Sequence, residues 1–202
     1  MKEFKDIAVE VNENIACVTI QRPPNNFFDY LLIEQIADAY EELDQVSDCR
    51  VIILKSEGKN FCAGANFGQD EDMLDKSVPY KKLYAQAVRL FKTKKPVIAV
   101  VQGAAIGGGL GLALSADFRI ACPEARFAAN FAKLGFHPGF GSSVTLPRVI
   151  GTQKAMDMLF TARRVGGEEA FEIGLADKLT SIENLMQIAK EFAEEITSSA
   201  PM

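Results

Sequence analysis

Two glycine-rich stretches hold the residues whose types and spacing could do chemistry. The first is Asn60-Phe61-Cys62-Ala63-Gly64-Ala65-Asn66-Phe67-Gly68; the second is Val101-Gln102-Gly103-Ala104-Ala105-Ile106-Gly107-Gly108-Gly109-Leu110. Both are poor in large polar side chains, so a ligand there meets mainly backbone. Glycine lets a main chain approach a ligand closely and adopt positive φ. The second stretch runs on into Leu110-Gly111-Leu112-Ala113-Leu114, an apolar helix whose free N-terminal amides and dipole would face the loop. One amide from each stretch, aimed at one oxygen, would make an oxyanion hole. Loss of a single donor from such a hole costs about 2.7–4 kcal/mol of transition-state stabilisation. The glycines also admit a plainer reading, in which Gly107, Gly108 and Gly109 only let a buried helix pack tightly on a sheet. Nucleotide loops fit badly, because no GxGxxG follows a first strand and no GK[ST] is present. Ser142 and Ser143 follow Gly139-Phe140-Gly141 in the wrong order for a hydrolase nucleophile elbow.

The surrounding pattern indicates what must position these loops. Ile7–Val11 and Ile15–Ile20 flank a polar Asn12-Glu13-Asn14 turn and read as a hairpin. Leu31–Leu43 has a helical period, with Asp29 as its N-cap. Residues 51–54 and 96–101 are continuous apolar runs, the signature of strands covered on both faces, and each leads into one glycine loop. Further strands are expected at 118–121 and 126–129, and helices at 80–91, 152–163, 168–173 and 182–197. Buried strands alternating with helices predict an α/β fold with crossover connections, whose ligands sit beyond the strand C-termini.

Bulk properties exclude several classes. The 202 residues are 48% hydrophobic with a net charge of −5, and no basic stripe is present, which argues against phosphate-driven nucleic-acid binding. Cys17, Cys49, Cys62 and Cys122 are widely spaced and accompany one histidine, giving no zinc pattern and indicating a reducing compartment. The N-terminus lacks an apolar core of signal-peptide length, and no apolar run is of membrane-spanning length, so a cytoplasmic protein without membrane association is expected.

Taken in order, these segments resemble the crotonase superfamily (the enoyl-CoA hydratase/isomerase family). The matching pieces are Asn60-Phe61-Cys62-Ala63-Gly64-Ala65; Lys95-Pro96-Val97-Ile98-Ala99-Val100-Val101-Gln102-Gly103; Gly107-Gly108-Gly109; Ala116-Asp117-Phe118-Arg119-Ile120-Ala121; Leu134-Gly135 with Arg148-Val149-Ile150-Gly151; and Arg163 with Gly174-Leu175-Ala176-Asp177. The resemblance implies an α/β spiral of repeated ββα units, of the crotonase/ClpP-like kind, forming one core domain over residues 1–202. It also implies that the family's C-terminal helical segment is missing here. A homotrimer or hexamer is implied as the assembly. Acyl-coenzyme A is implied as substrate, coenzyme A arriving as part of it and no separate cofactor or metal being needed. The thioester oxygen would then lie between the amides of Ala65 and Gly108. Asn26, Ala63, Ala65, Asn66, Phe67, Gly68, Gly107, Gly108, Phe131 and Phe136 would contact substrate.

Two departures bear on the chemistry. Family hydratases carry glutamates at the positions matching Gly111 and Phe131, and both carboxylates are absent. His137, the only histidine, lies in the loop Gly135-Phe136-His137-Pro138-Gly139-Phe140-Gly141 and is the candidate acid/base, its ordinary pKa near 6.5 suiting that work. An exposed loop histidine is the alternative. Asp70, Glu71 and Asp72 follow the first loop and read as a solvated acidic lid. Phe27, Phe28, Phe131, Phe136 and Phe140 are expected around an apolar acyl pocket. Three functions stay open: an acyl-CoA lyase, isomerase or hydrolase; an inactive CoA-binding scaffold; and a hydrolase of a diketone carbon–carbon bond.

Overall fold

A computed structural model describes residues 2–65 and 77–200. The chain opens with the antiparallel hairpin β1 (Ile7–Asn12) and β2 (Ile15–Ile20) and crosses through α1 (Tyr30–Asp44) to β3 (Val51–Ser56). As expected, Asp29 caps α1, its carboxylate accepting from the Leu32 amide at 2.9 Å. Then come α2 (Ser77–Leu90), β4 (Val97–Val101), β5 (Ala104–Ile106), α3 (Gly108–Ser115), β6 (Phe118–Ala121) and β7 (Arg126–Ala128). The remainder is α4 (Ser142–Ile150), α5 (Thr152–Thr161), β8 (Val165–Gly166), α6 (Gly167–Glu172), β9 (Lys178–Leu179) and α7 (Leu185–Thr197).

The larger sheet has the order β1-β2-β3-β4-β6-β9 and is parallel from β2 onward; the smaller has the order β5-β7-β8. Two successive turns of chain each give one strand to the large sheet, one to the small sheet and then helix: β4, β5, α3, followed by β6, β7 and α4. This is the repeating ββα spiral that the sequence resemblance implies. Alternation within the buried strands explains their unbroken apolar runs. Ile52 and Leu54 of β3, with Val97, Ala99 and Val101 of β4, join the core beneath α1 and α3. Val51 and Ile53, with Ile98 and Val100, face a second core closed by Leu185, Ala189 and Ala193 of α7. Period-2 strands covered on both sides leave no polar face.

The differences from the sequence expectations are local. α4 contains Pro147, which removes a backbone donor and masks the segment as a helix, yet buried Ser142, Leu146 and Ile150 hold it in place. β5, β8 and β9 are two or three residues long, too short to show a period. Residues 182–184 form a 3₁₀ turn, so the last helix begins at Leu185. α5 stops at Thr161, where Ala162 adopts φ 50°.

Candidate active site

The two glycine loops leave β3 and β4 and are tied together immediately beyond the sheet. Cys62 and Ala105 form an isolated parallel bridge: the Cys62 amide donates to Ala104 O at 2.8 Å, and the Ile106 amide donates to Cys62 O at 3.0 Å. A second bridge joins Phe28 to Ala65, with the Phe28 amide on Gly64 O at 3.0 Å. A Cβ on Gly109 would lie 2.0 Å from Cys62 O, so glycine there is what allows α3 to butt against the first loop. Gly107 turns the chain into α3 with φ 57° and ψ −117°, a conformation L side chains avoid.

Polar side chains brace this arrangement from below. Asn60 Oδ1 accepts from the Ala104 amide at 3.1 Å, and Asn60 Nδ2 donates to Asn25 Oδ1 at 2.9 Å. Gln102 Nε2 reaches Ser56 Oγ at 2.9 Å and Gly58 O at 3.2 Å. Asn26 belongs to the same scaffold rather than to a ligand surface. It is fully buried, accepts from the Arg22 amide at 3.0 Å, and donates to the Glu57 and Asn60 carbonyls at 2.7 Å each. Its side-chain polar atoms are committed to the turn, so the expected substrate contact is not what the geometry gives it. Cys62 lies behind the loops, and burial pushes its thiol up to about 12.

In front of the loops is a cavity of about 520 Å³, lined on one wall by Ala63, Gly64, Ala65, Ile106, Gly107 and Gly108. Phe28, Leu83, Phe131, Leu134, Phe136 and Phe140 form the apolar remainder, and Tyr84, Asn130 and His137 supply polar side chains. Phe28 and Phe140 pack edge to face, with ring centroids 5.8 Å apart. The first turn of α3 gives the Gly108 N–H no intrahelical acceptor, and neither it nor the Ala65 N–H donates a hydrogen bond among the described residues. The cavity thus brings together Ala63, Ala65, Gly107, Gly108, Phe131, Phe136 and His137 from the sequence-derived set. Phe27 is half-buried and does not line it. Asn66, Phe67 and Gly68, and the acidic run Asp70-Glu71-Asp72, fall outside the described residues.

His137 is exposed at the rim, its Nδ1 3.0 Å from Pro138 O. Gly111 faces Phe140: a Cβ there would lie 2.5 Å from Phe140 Cβ. Phe131 presents an aromatic ring to the cavity. Asp117 and Lys133 are exposed, and Asp117 accepts from the Val97 amide at 2.8 Å, a structural link between β4 and β6. Sequence reasoning missed Leu83, Tyr84 and Asn130, which reach the cavity from α2 and from the segment after β7.

A family model described as enoyl-CoA hydratase/isomerase matches residues 10–202. The chain belongs to the enoyl-CoA hydratase/isomerase family. Among relatives, the short-chain-enoyl-CoA hydratase of Clostridium acetobutylicum is 34% identical over 206 residues, covering 99% of this chain and 78% of the relative. The crotonyl-CoA hydratase of Syntrophomonas wolfei is 34% identical over 204 residues, covering 98% and 78%. The crystal structure of an enoyl-CoA hydratase from Bacillus anthracis superposes with a TM-score of 0.92 at 30% identity, covering 98% of this chain and 78% of that one. The spiral of ββα turns is therefore the crotonase fold. Among the described residues no helix is long and apolar enough to cross a membrane.

Proposed function

We propose that this chain is an acyl-coenzyme A enzyme that holds the thioester carbonyl oxygen between the backbone amides of Ala65 and Gly108 and moves a proton at the adjacent carbon. The observation that carries this is the juxtaposition of the two loops on one wall of an apolar cavity, cross-tied at Cys62 and Ala105, with the start of α3 beside them. Removing a proton from the α-carbon sends the C–H electron pair into the carbon–carbon bond and negative charge onto the oxygen. Donors held in place on the loops stabilise the charge without reorganisation, and the apolar lining strengthens them.

Hydration by the paired carboxylates of family hydratases is not the reaction this site supports, because Gly111 and Phe131 occupy those positions. Proton transfer falls instead to side chains at the rim, with His137 as the base. An inactive coenzyme A scaffold is the second reading, favoured by the same substitutions. A trimer or hexamer remains the proposed assembly.

Calorimetry with crotonyl-CoA and with free coenzyme A, followed by absorbance of the enoyl thioester band, tests the reading. Tighter binding of the thioester than of free coenzyme A is expected, with the band persisting. Equal affinity for both would remove the oxyanion role and favour the scaffold. Absence of binding to either would remove coenzyme A altogether.

A further inference from the structure

Of the polar side chains on the cavity wall, an asparagine amide neither gives nor takes a proton, which leaves Tyr84 and His137 for proton transfer. Tyr84 comes from α2, whereas the loop wall comes from the segments after β3 and β4. Its hydroxyl oxygen sits so close to the backbone of Gly139 that a Cβ there would lie 2.4 Å from it. The same Cβ position is 3.2 Å from Phe131 Cε1, so the hydroxyl and the Phe131 edge converge on one point. The neighbouring ring carbon, Phe131 Cζ, is 3.9 Å from the Cβ position on Gly107, beside the Gly108 amide. The Phe131 edge is thus a neighbour common to the Gly139 backbone, where the Tyr84 hydroxyl sits, and to the Gly107 turn. The missing side chain at Gly139 is what makes room for the hydroxyl.

We propose that Tyr84 is the proton donor to the substrate α-carbon, acting with His137 as the base; this rests on the thioester reading above. The His137 imidazole takes an α-proton, the C–H pair becomes the enolate carbon–carbon π bond, and the carbonyl π pair moves to the oxygen between the two amides. Tyr84 O–H then gives its proton to the α-carbon, the carbonyl re-forms, and the phenolate regains a proton from water as the imidazolium releases one. On a saturated thioester the net result is exchange of an α-hydrogen with solvent.

The test uses butyryl-CoA in D2O, with deuterium at the α-carbon read by mass spectrometry and binding read by calorimetry. Tyr84→Phe keeps the ring, and Gly139→Ala pushes the hydroxyl away. Both are expected to bind butyryl-CoA nearly as the wild type does and to exchange at least about a hundredfold more slowly. The double variant is expected to be no slower than either single one, because both remove the same group. Tyr84→Phe is also expected to abolish the fall in exchange rate at alkaline pH, which a merely structural role would leave in place. Wild-type exchange by Tyr84→Phe would overturn the proposal while leaving the thioester reading intact, as would wild-type protein that binds butyryl-CoA without exchanging it. Wild-type protein that neither binds nor exchanges would overturn both.

Discussion

At the scale of single residues, Gly111 is locked by its neighbour Phe140. Gly111 and Phe140 form one interlocking contact, and Phe140 takes a left-handed φ of 54° to make it. Placing a carboxylate there with Gly111→Glu should therefore not confer hydration. Its Cβ would overlap Phe140, and overpacking of this kind costs about 1–3 kcal/mol before the buried charge is counted. A lowered melting temperature with no hydration of crotonyl-CoA is expected, with Phe140→Ala added in the same chain recovering part of the stability. An unchanged melting temperature would show that Phe140 moves aside freely. Cys62 gives a second prediction. Burial raises its folded pKa to about 12, above an unfolded value near 9. Between those values the folded protein binds more protons than the unfolded one, so stability is retained below about pH 9 and falls as pH rises toward 12. Burial also raises Tyr40, in the same direction. Denaturation midpoints measured across that range should fall, and Cys62→Ala should flatten the decline.

The elements explain which parts of this were legible in sequence. Asp29 announced its helix, and the apolar runs at 51–54 and 97–101 announced strands buried on both faces, because local pattern and packing agree there. The two glycine loops were legible by composition and the resemblance named Ala65 and Gly108 on them; both line the cavity. Tyr84, Asn130 and the Asn26 scaffold were not, since their roles depend on partners tens of residues away and no residue type marks them. Arg119 of β6 is the clearest case of such hidden dependence. Its side chain is 3% exposed and donates to Leu175 O at 2.7 Å, Ala116 O at 2.9 Å and Asp117 O at 3.0 Å. It also pairs with Asp177 at 3.2 Å, joining the end of α3 to β6 and the approach to β9. Arg119→Ala should cost about 3–5 kcal/mol in denaturant unfolding, since it strands several carbonyls and a carboxylate. Asp177→Asn should cost about 1 kcal/mol or less, its side chain being one-third exposed and the backbone partners remaining. Comparable losses from the two would locate the stability in the ion pair instead of the carbonyl cradle.

At the scale of the molecule, the spiral stacks successive turns so that loops distant in sequence meet at one edge of two sheets. That geometry lets a short bridge, Cys62 with Ala105, tie together the two loops that line the cavity. The outer surface bears on assembly. Phe160 is 73% exposed, and Met156 and Phe171 are also exposed. Light scattering should return three or six copies per particle, with Phe160→Lys shifting the population toward smaller species; a lone chain at every concentration would contradict the proposed assembly.

The central claim is that two backbone amides grip one thioester oxygen, and an isotope-edited infrared spectrum of bound butyryl-CoA tests it most directly. Two donors polarise the carbonyl, so its stretch should move to lower frequency on binding. Ala65→Pro, which deletes one N–H, should return it part of the way while removing about 2.7–4 kcal/mol of transition-state stabilisation from α-hydrogen exchange. A bound thioester whose carbonyl frequency is unshifted, or is unchanged by Ala65→Pro, would contradict the account.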